Sequence, residues 1–338
     1  MKLLMVGIAS LLLVATVSGA YFAGLIPLRG GSPCALNQVG SIPLPNLSGR
    51  IDHMAFDPKG QTLYVAALDN NSVNVVNVTS DKLERIVEGF SAPQGVLFLQ
   101  RSDSIYVTNA GNGIVNVLDA GSRVRTANIS LGSDADNIRY DPSSNLVYVG
   151  YGQGAIAVVN ASNKMIIETV QLAGHPEGFQ LAPGSKQIFV NVASSGYVAV
   201  VDATANSVTT RWPLANATGN YPMGLDEVHG RLFIGTRTPP QFVVLDSTTG
   251  KNIATLSLPP DPDDIYYDAS NGCAYISSGS GHVTIVRESD PSHYAVVAQI
   301  ATSPGARTSL LAAETGLFFV AAPAAGSTQA AILVYKTS

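Results

Sequence analysis

Seven residues stand at near-equal intervals along the 338-residue chain: Asp52, Gln94, Asp136, Glu177, Tyr221, Asp263 and Arg307, at steps of 42, 42, 41, 44, 42 and 44. All are polar and four are carboxylates. The following position adds His53, Asn137, Asp264 and Thr308, and Arg50, Asp134, Arg139, His175 and Asp261 lie within a few residues. Carboxylates joined by an amide oxygen are the hard oxygen ligands that Ca2+ prefers. Brought to one place, Asp52, Asp136, Asn137, Glu177 and Asp263 would hold a divalent cation, with Ca2+ the expected ion. His53 and His175 are the general-base candidates, since imidazole titrates near neutral pH. Arg50, Arg139, Arg237 and Arg307, with Gln94, Tyr221 and Asp264, would orient an anionic or carbonyl-bearing small molecule.

Those residues can meet only if the chain returns them to a common axis. Twelve residues after each stands an aromatic between apolar neighbours: Tyr64, Tyr106, Tyr148, Phe189, Phe233, Tyr275 and Phe319. A period just above 40 residues, with short strands and turn residues between, predicts a β-propeller. Seven copies predict seven blades of four antiparallel strands, an all-β fold. The second unit shows the pattern: Gln94–Leu99 is an apolar inner strand, Ile105–Thr108 the next, Ile114–Asp119 the third, and the stretch from Arg123 to Leu131 the polar outer strand. Strand-forming residues bounded by Gly, Asn, Asp and Ser support each assignment. The polar column opens each inner strand and should therefore ring one mouth of the central channel.

The last unit stops short. After Ile332–Tyr335 only three residues remain, so its fourth strand must come from elsewhere. Asn37–Leu44 resembles the outer strand Lys251–Leu258 and is expected to close the ring, removing two exposed edges. The domain reading is a signal peptide at 1–20, a linker at 21–36 and one propeller at 37–338. Lys2, the apolar run from Leu3 to Val17, and Ser18-Gly19-Ala20 have the form of a secretory signal. If uncleaved, the apolar stretch reaches residue 28 and would anchor the chain in a membrane. Either way the propeller is expected to be exported: periplasmic, secreted or at the cell surface. Net charge is −5 with few basic residues, which excludes a nucleic-acid footprint. Cys34 and Cys273 both come to the face opposite the mouth. An oxidising compartment permits a disulfide there if the linker folds back; two free thiols are the alternative.

Tyr106-Val107-Thr108-Asn109 stands intact, with degenerate copies at Tyr64-Val65-Ala66-Ala67, Tyr148-Val149-Gly150-Tyr151 and Phe189-Val190-Asn191-Val192. In these residues the chain resembles the YVTN-repeat β-propellers over about residues 37–338. The resemblance implies an exported seven-bladed fold. It leaves function divided among surface-layer proteins, ligand-binding modules and a minority of enzymes. The acidic mouth is similar in design to propeller lactonases of the gluconolactonase and paraoxonase kind, where a central Ca2+ polarises a lactone carbonyl.

Physics sets the terms for such a ring. Two carboxylates roughly 7 Å apart repel by about 2 kcal/mol at an effective dielectric near 20. A dry mouth therefore needs a cation, shared protons or arginine partners. The first expectation is a divalent-cation-dependent hydrolase of a small lactone or ester. The alternatives are a non-catalytic propeller binding an envelope protein or glycan, and a ring in which Arg50, Arg139 and Arg307 merely neutralise Asp52, Asp136 and Asp263. There is no Gly-x-Ser-x-Gly, His-Glu-x-x-His or Cys-x-x-Cys-His, which removes the nucleophile elbow, zinc-protease and c-type haem readings. His229 and His293 read as surface residues.

Overall fold

The structure is a computed structural model and describes residues 34–182, 184 and 186–338. The expected signal segment and the linker ahead of Cys34 lie outside the described residues. Among the described residues twenty-eight strands form seven separate four-stranded sheets, each antiparallel throughout. Blades 1 to 6 each use four consecutive strands, beginning at Met54, Pro93, Ala135, Phe179, Thr218 and Pro262. Among the described residues no helix is long and apolar enough to cross a membrane.

Blade 7 is composite. Ser309–Ala312, Leu317–Ala322 and Ala331–Thr337 are consecutive, and Leu36–Pro43 completes the sheet against the last of them. Leu36 stands opposite Thr337 and Pro43 opposite Ala331, with a register shift between Gln38 and Gly40. The N-terminal strand thus closes the ring as its sequence suggested.

Each sheet has an apolar face on both sides, so its core lies between blades and not within one. One cluster joins Ile42, Phe319 and Val334 of blade 7 to Met54, Leu63 and Val65 of blade 1. Another joins Tyr275 and Ile285 of blade 6 to Phe318 and Tyr335 of blade 7. All seven periodic aromatics are buried, the most exposed being Tyr148 at 4%. Burying such a side chain contributes about 1.5–3 kcal/mol, and their spacing is the packing rhythm of the blades. Cys34 and Cys273 form a disulfide across a Cα–Cα distance of 5.7 Å, tying the closing strand to blade 6.

Candidate functional site

The inner strands enter at one end of the channel, and the residues at their entrances face a cavity of about 960 Å3. Arg50, His53, Gln94, Asp136, Asn137, Arg139, His175, Glu177, Tyr221, Arg237, Asp263, Asp264 and Arg307 all line it. Asp52 lies directly behind, 1% exposed, with Arg50 Nη2 2.9 Å from its Oδ2. The polar column therefore converges on one mouth.

The second strand of one blade fixes where the next entrance stands. Thr108 accepts from Gly95 N at 2.7 Å and donates its hydroxyl to the Asp136 carbonyl at 2.6 Å. Asn191, at the same register position of blade 4, donates to the Tyr221 and Pro222 carbonyls of blade 5 at 3.1 and 3.0 Å. Thr108, the threonine of the intact tetrapeptide, thus holds Asp136 by its backbone and leaves the carboxylate free to face the cavity. Gly95 permits the approach: a Cβ there would sit 2.5 Å from the Asp136 carbonyl oxygen.

The ring divides electrostatically into two halves. In one, arginines neutralise the acids. Arg237 pairs with Asp263, reaches Asp261 at 2.9 Å and lies over the Tyr221 ring, its guanidinium carbon 3.6 Å from the centroid. Arg307 completes the group, 2.9 Å from Asp261. Burial still pushes the Asp263 carboxyl up to about 7, against the pull of Arg237 and with the Asp52 charge adding to it. Arg139 does not take the expected place beside Asp136; its guanidinium donates to the Ile138 carbonyl at 2.8 Å and approaches Phe179.

In the other half no acid has an arginine ion pair among the described residues, although the Arg237 charge reaches Glu177 and that of Arg50 reaches Asp136. One donor atom each from Asp136, His175 and Glu177 lies within 4.8 Å of the others. His175 Nε2 is 3.5 Å from Asp136 Oδ2, and its Nδ1 is 2.5 Å from the Gly152 carbonyl oxygen. Burial, then the Asp136 charge, push Glu177 up to about 7, although His175 opposes them. Burial would lower His175, yet Asp136 and the Gly152 carbonyl outweigh it and hold the imidazole at about 9. Asn137 points its amide nitrogen toward Asp136 Oδ1 at 3.5 Å, as a donor and not as an oxygen ligand.

His53 bridges two blades. Its Nε2 is 3.7 Å from Asp52 Oδ1, and its Nδ1 is 3.6 Å from Asp264 Oδ1. The other Asp264 oxygen accepts from Ser309 N of blade 7 at 2.7 Å. Desolvation lowers His53, but Asp264, Asp52 and Asp136 outweigh it and raise the imidazole to about 10. At neutral pH it is therefore a cation that donates, and not the free base that residue type alone suggested.

No protein family and no curated protein matches the chain by sequence. Solved structures do match in shape. The chain is similar to Kuenenia stuttgartiensis hydrazine synthase at TM-score 0.75 and 18% identity, covering 87% of this chain and 97% of that one. It is also similar to the RRP9 WD40 repeats, at TM-score 0.77 and 10% identity over 90% and 100% of the two chains. A chain of the mitotic checkpoint complex matches at 0.75 and 13%, over 97% and 99%. At such identities the likeness is one of fold, the seven-bladed propeller.

Proposed function

We propose that this is an exported propeller, akin to the YVTN-repeat proteins, that holds a divalent cation at its channel mouth and hydrolyses a small lactone or ester there. One observation carries the reading: Asp136, His175 and Glu177 converge on one cavity, and among the described residues neither acid has an arginine ion pair. At neutral pH the raised His175 sets one positive charge against the two acids, and a metal could replace that proton and any on Glu177. The donor set narrows the expected ion. Five oxygens would favour Ca2+, whereas two carboxylates with an imidazole suit Mn2+ or Zn2+ better.

When bound, such an ion polarises a carbonyl and lowers the pKa of a water. The protein's own groups supply the rest. His53, protonated and lining the same cavity, would turn one N–H from its carboxylate partner to donate to the departing alkoxide. Arg139, with no carboxylate partner among the described residues, would turn from the Ile138 carbonyl to meet an anionic substrate, and Gln94 and Tyr221 also line the cavity. Export is supported by the N-terminal pattern and by the disulfide, a bond of oxidising compartments.

The test is a panel of lactones and esters given to chelator-stripped protein, with Ca2+, Mn2+ or Zn2+ restored in turn. Hydrolysis should return with metal, disappear in Asp136→Asn and fall in His53→Gln with KM little changed. Turnover that ignores both chelation and Asp136→Asn would end the proposal. A second reading has its own support: Arg50, Arg237 and Arg307 already neutralise Asp52, Asp261 and Asp263, as a purely binding surface would require. In that case Tyr221→Ala and Arg237→Ala should abolish capture of an envelope protein or glycan, and no turnover should be found.

A further inference from the structure

At the far end of the blades from the channel mouth lies a second group of donors. Asp226 closes the inner strand of blade 5, His229 sits in the turn that follows, and Glu288 lies in the third strand of blade 6. One ligand atom from each falls within 4.8 Å of the others. His229 Nδ1 is 2.6 Å from Asp226 Oδ2 and 3.7 Å from Glu288 Oε1. Both carboxylates are deeply buried, with side-chain exposures of 1% and 5%, while His229 is 47% exposed.

Glu288 is the telling residue. Its Oε2 accepts a hydrogen bond from the Tyr267 hydroxyl at 2.5 Å, which fixes the carboxylate plane. Its Oε1 is buried, has no hydrogen-bond partner and faces the His229 ring. A buried carboxylate oxygen without a donor loses its hydration with nothing in return, and a bound cation would restore the missing partner. Arg231 does not relieve it, since its guanidinium is committed to Asp246 at 3.0 Å and to the His229, Gly230 and Pro291 carbonyls.

We propose that Asp226, His229 and Glu288 form a second divalent transition-metal site, of the Zn2+ class, that joins blades 5 and 6. Two carboxylates and one imidazole supply three ligands, and the exposed side leaves a fourth position for water. Bonds near 2.0–2.1 Å place tetrahedral donors about 3.3 Å apart. Seating an ion therefore requires the Asp226–His229 contact to open slightly, which the exposed histidine turn allows. Tyr267 then acts as the outer partner that orients Glu288.

The test uses the full chain stripped by chelator and titrated calorimetrically with Zn2+. Asp136→Asn with His175→Ala removes the mouth donors, and that double variant should still bind one Zn2+ per chain. Adding His229→Ala, at an exposed turn position, should weaken binding at least about tenfold, since losing even an outer partner costs 10–100-fold. Glu288→Gln keeps the shape and the Tyr267 bond and should weaken it similarly. Zn2+ affinity unchanged by both substitutions, or no binding at all in the mouth-disabled chain, would overturn the proposal. Failure of the mouth reading shows separately, as wild-type stoichiometry equal to that of the mouth-disabled chain.

Discussion

His53→Gln isolates the clamp that joins Asp52 to Asp264. The imidazole sits 3.7 and 3.6 Å from the two carboxylates, and its pKa is raised from 6.5 to about 10. A raised histidine stabilises the fold fully below its unfolded value and loses that contribution as pH climbs through the folded one. Three units between pH 7 and 10 correspond to about 4 kcal/mol. The ring is 20% exposed and its charge is shared among coupled acids, so about 2 kcal/mol is the working figure at pH 7. Urea unfolding of wild type and variant in chelator, at pH 7, 8, 9 and 10, measures the gap directly. It should narrow with rising pH, by no more than about 1.4 kcal/mol per unit, and vanish near pH 10. A gap that stays constant or widens over this range would refute the assignment of His53 as a buried cation.

Ile42 and Leu44 are both 0% exposed in the cluster that seals blade 7 to blade 1. Ile42→Ala should cost about 2–5 kcal/mol in denaturant titration, and deletion of residues 37–45 should abolish cooperative unfolding. Cys34→Ser removes the bond to Cys273 and should lower stability by about 2–4 kcal/mol, with reductant reproducing the loss in wild type but not in the variant. Gly95→Ala would press a methyl within 2.5 Å of the Asp136 carbonyl and 2.7 Å of Thr108 Oγ1. It should cost about 1–3 kcal/mol and weaken metal binding at the mouth without touching a ligand.

The architecture was legible because packing repeats in sequence. The aromatic at each of seven positions is the residue that one blade buries against its neighbour, so its interval is the blade length. The unfinished last unit pointed to Asn37–Leu44, against the strand Leu36–Pro43 of the structure, for the same reason: an open edge must be paired. The polar column was legible as a ring, since every inner strand enters at the same end. What could not be read was how the ring divides. Arg237 leaves blade 5 to meet Asp261 and Asp263 of blade 6, and side-chain reach across a blade gap leaves no mark in spacing.

His175 and Glu177 stand two apart ahead of the inner strand of blade 4, and residue type alone suggests a base for one and a metal ligand for the other. Only the neighbouring blade, bringing Asp136, unites them. His229 looked like an ordinary surface turn because Glu288, the residue that changes its meaning, arrives from another blade 59 positions later.

The most direct test of a cation at the channel mouth is Mn2+ and Zn2+ titration of chelator-stripped protein carrying His229→Ala, followed by calorimetry at pH 7 and 8. One ion per chain should bind, more tightly at pH 8, with proton release, and Asp136→Asn or His175→Ala should remove it. Binding that is absent, or that survives both substitutions, would contradict the account.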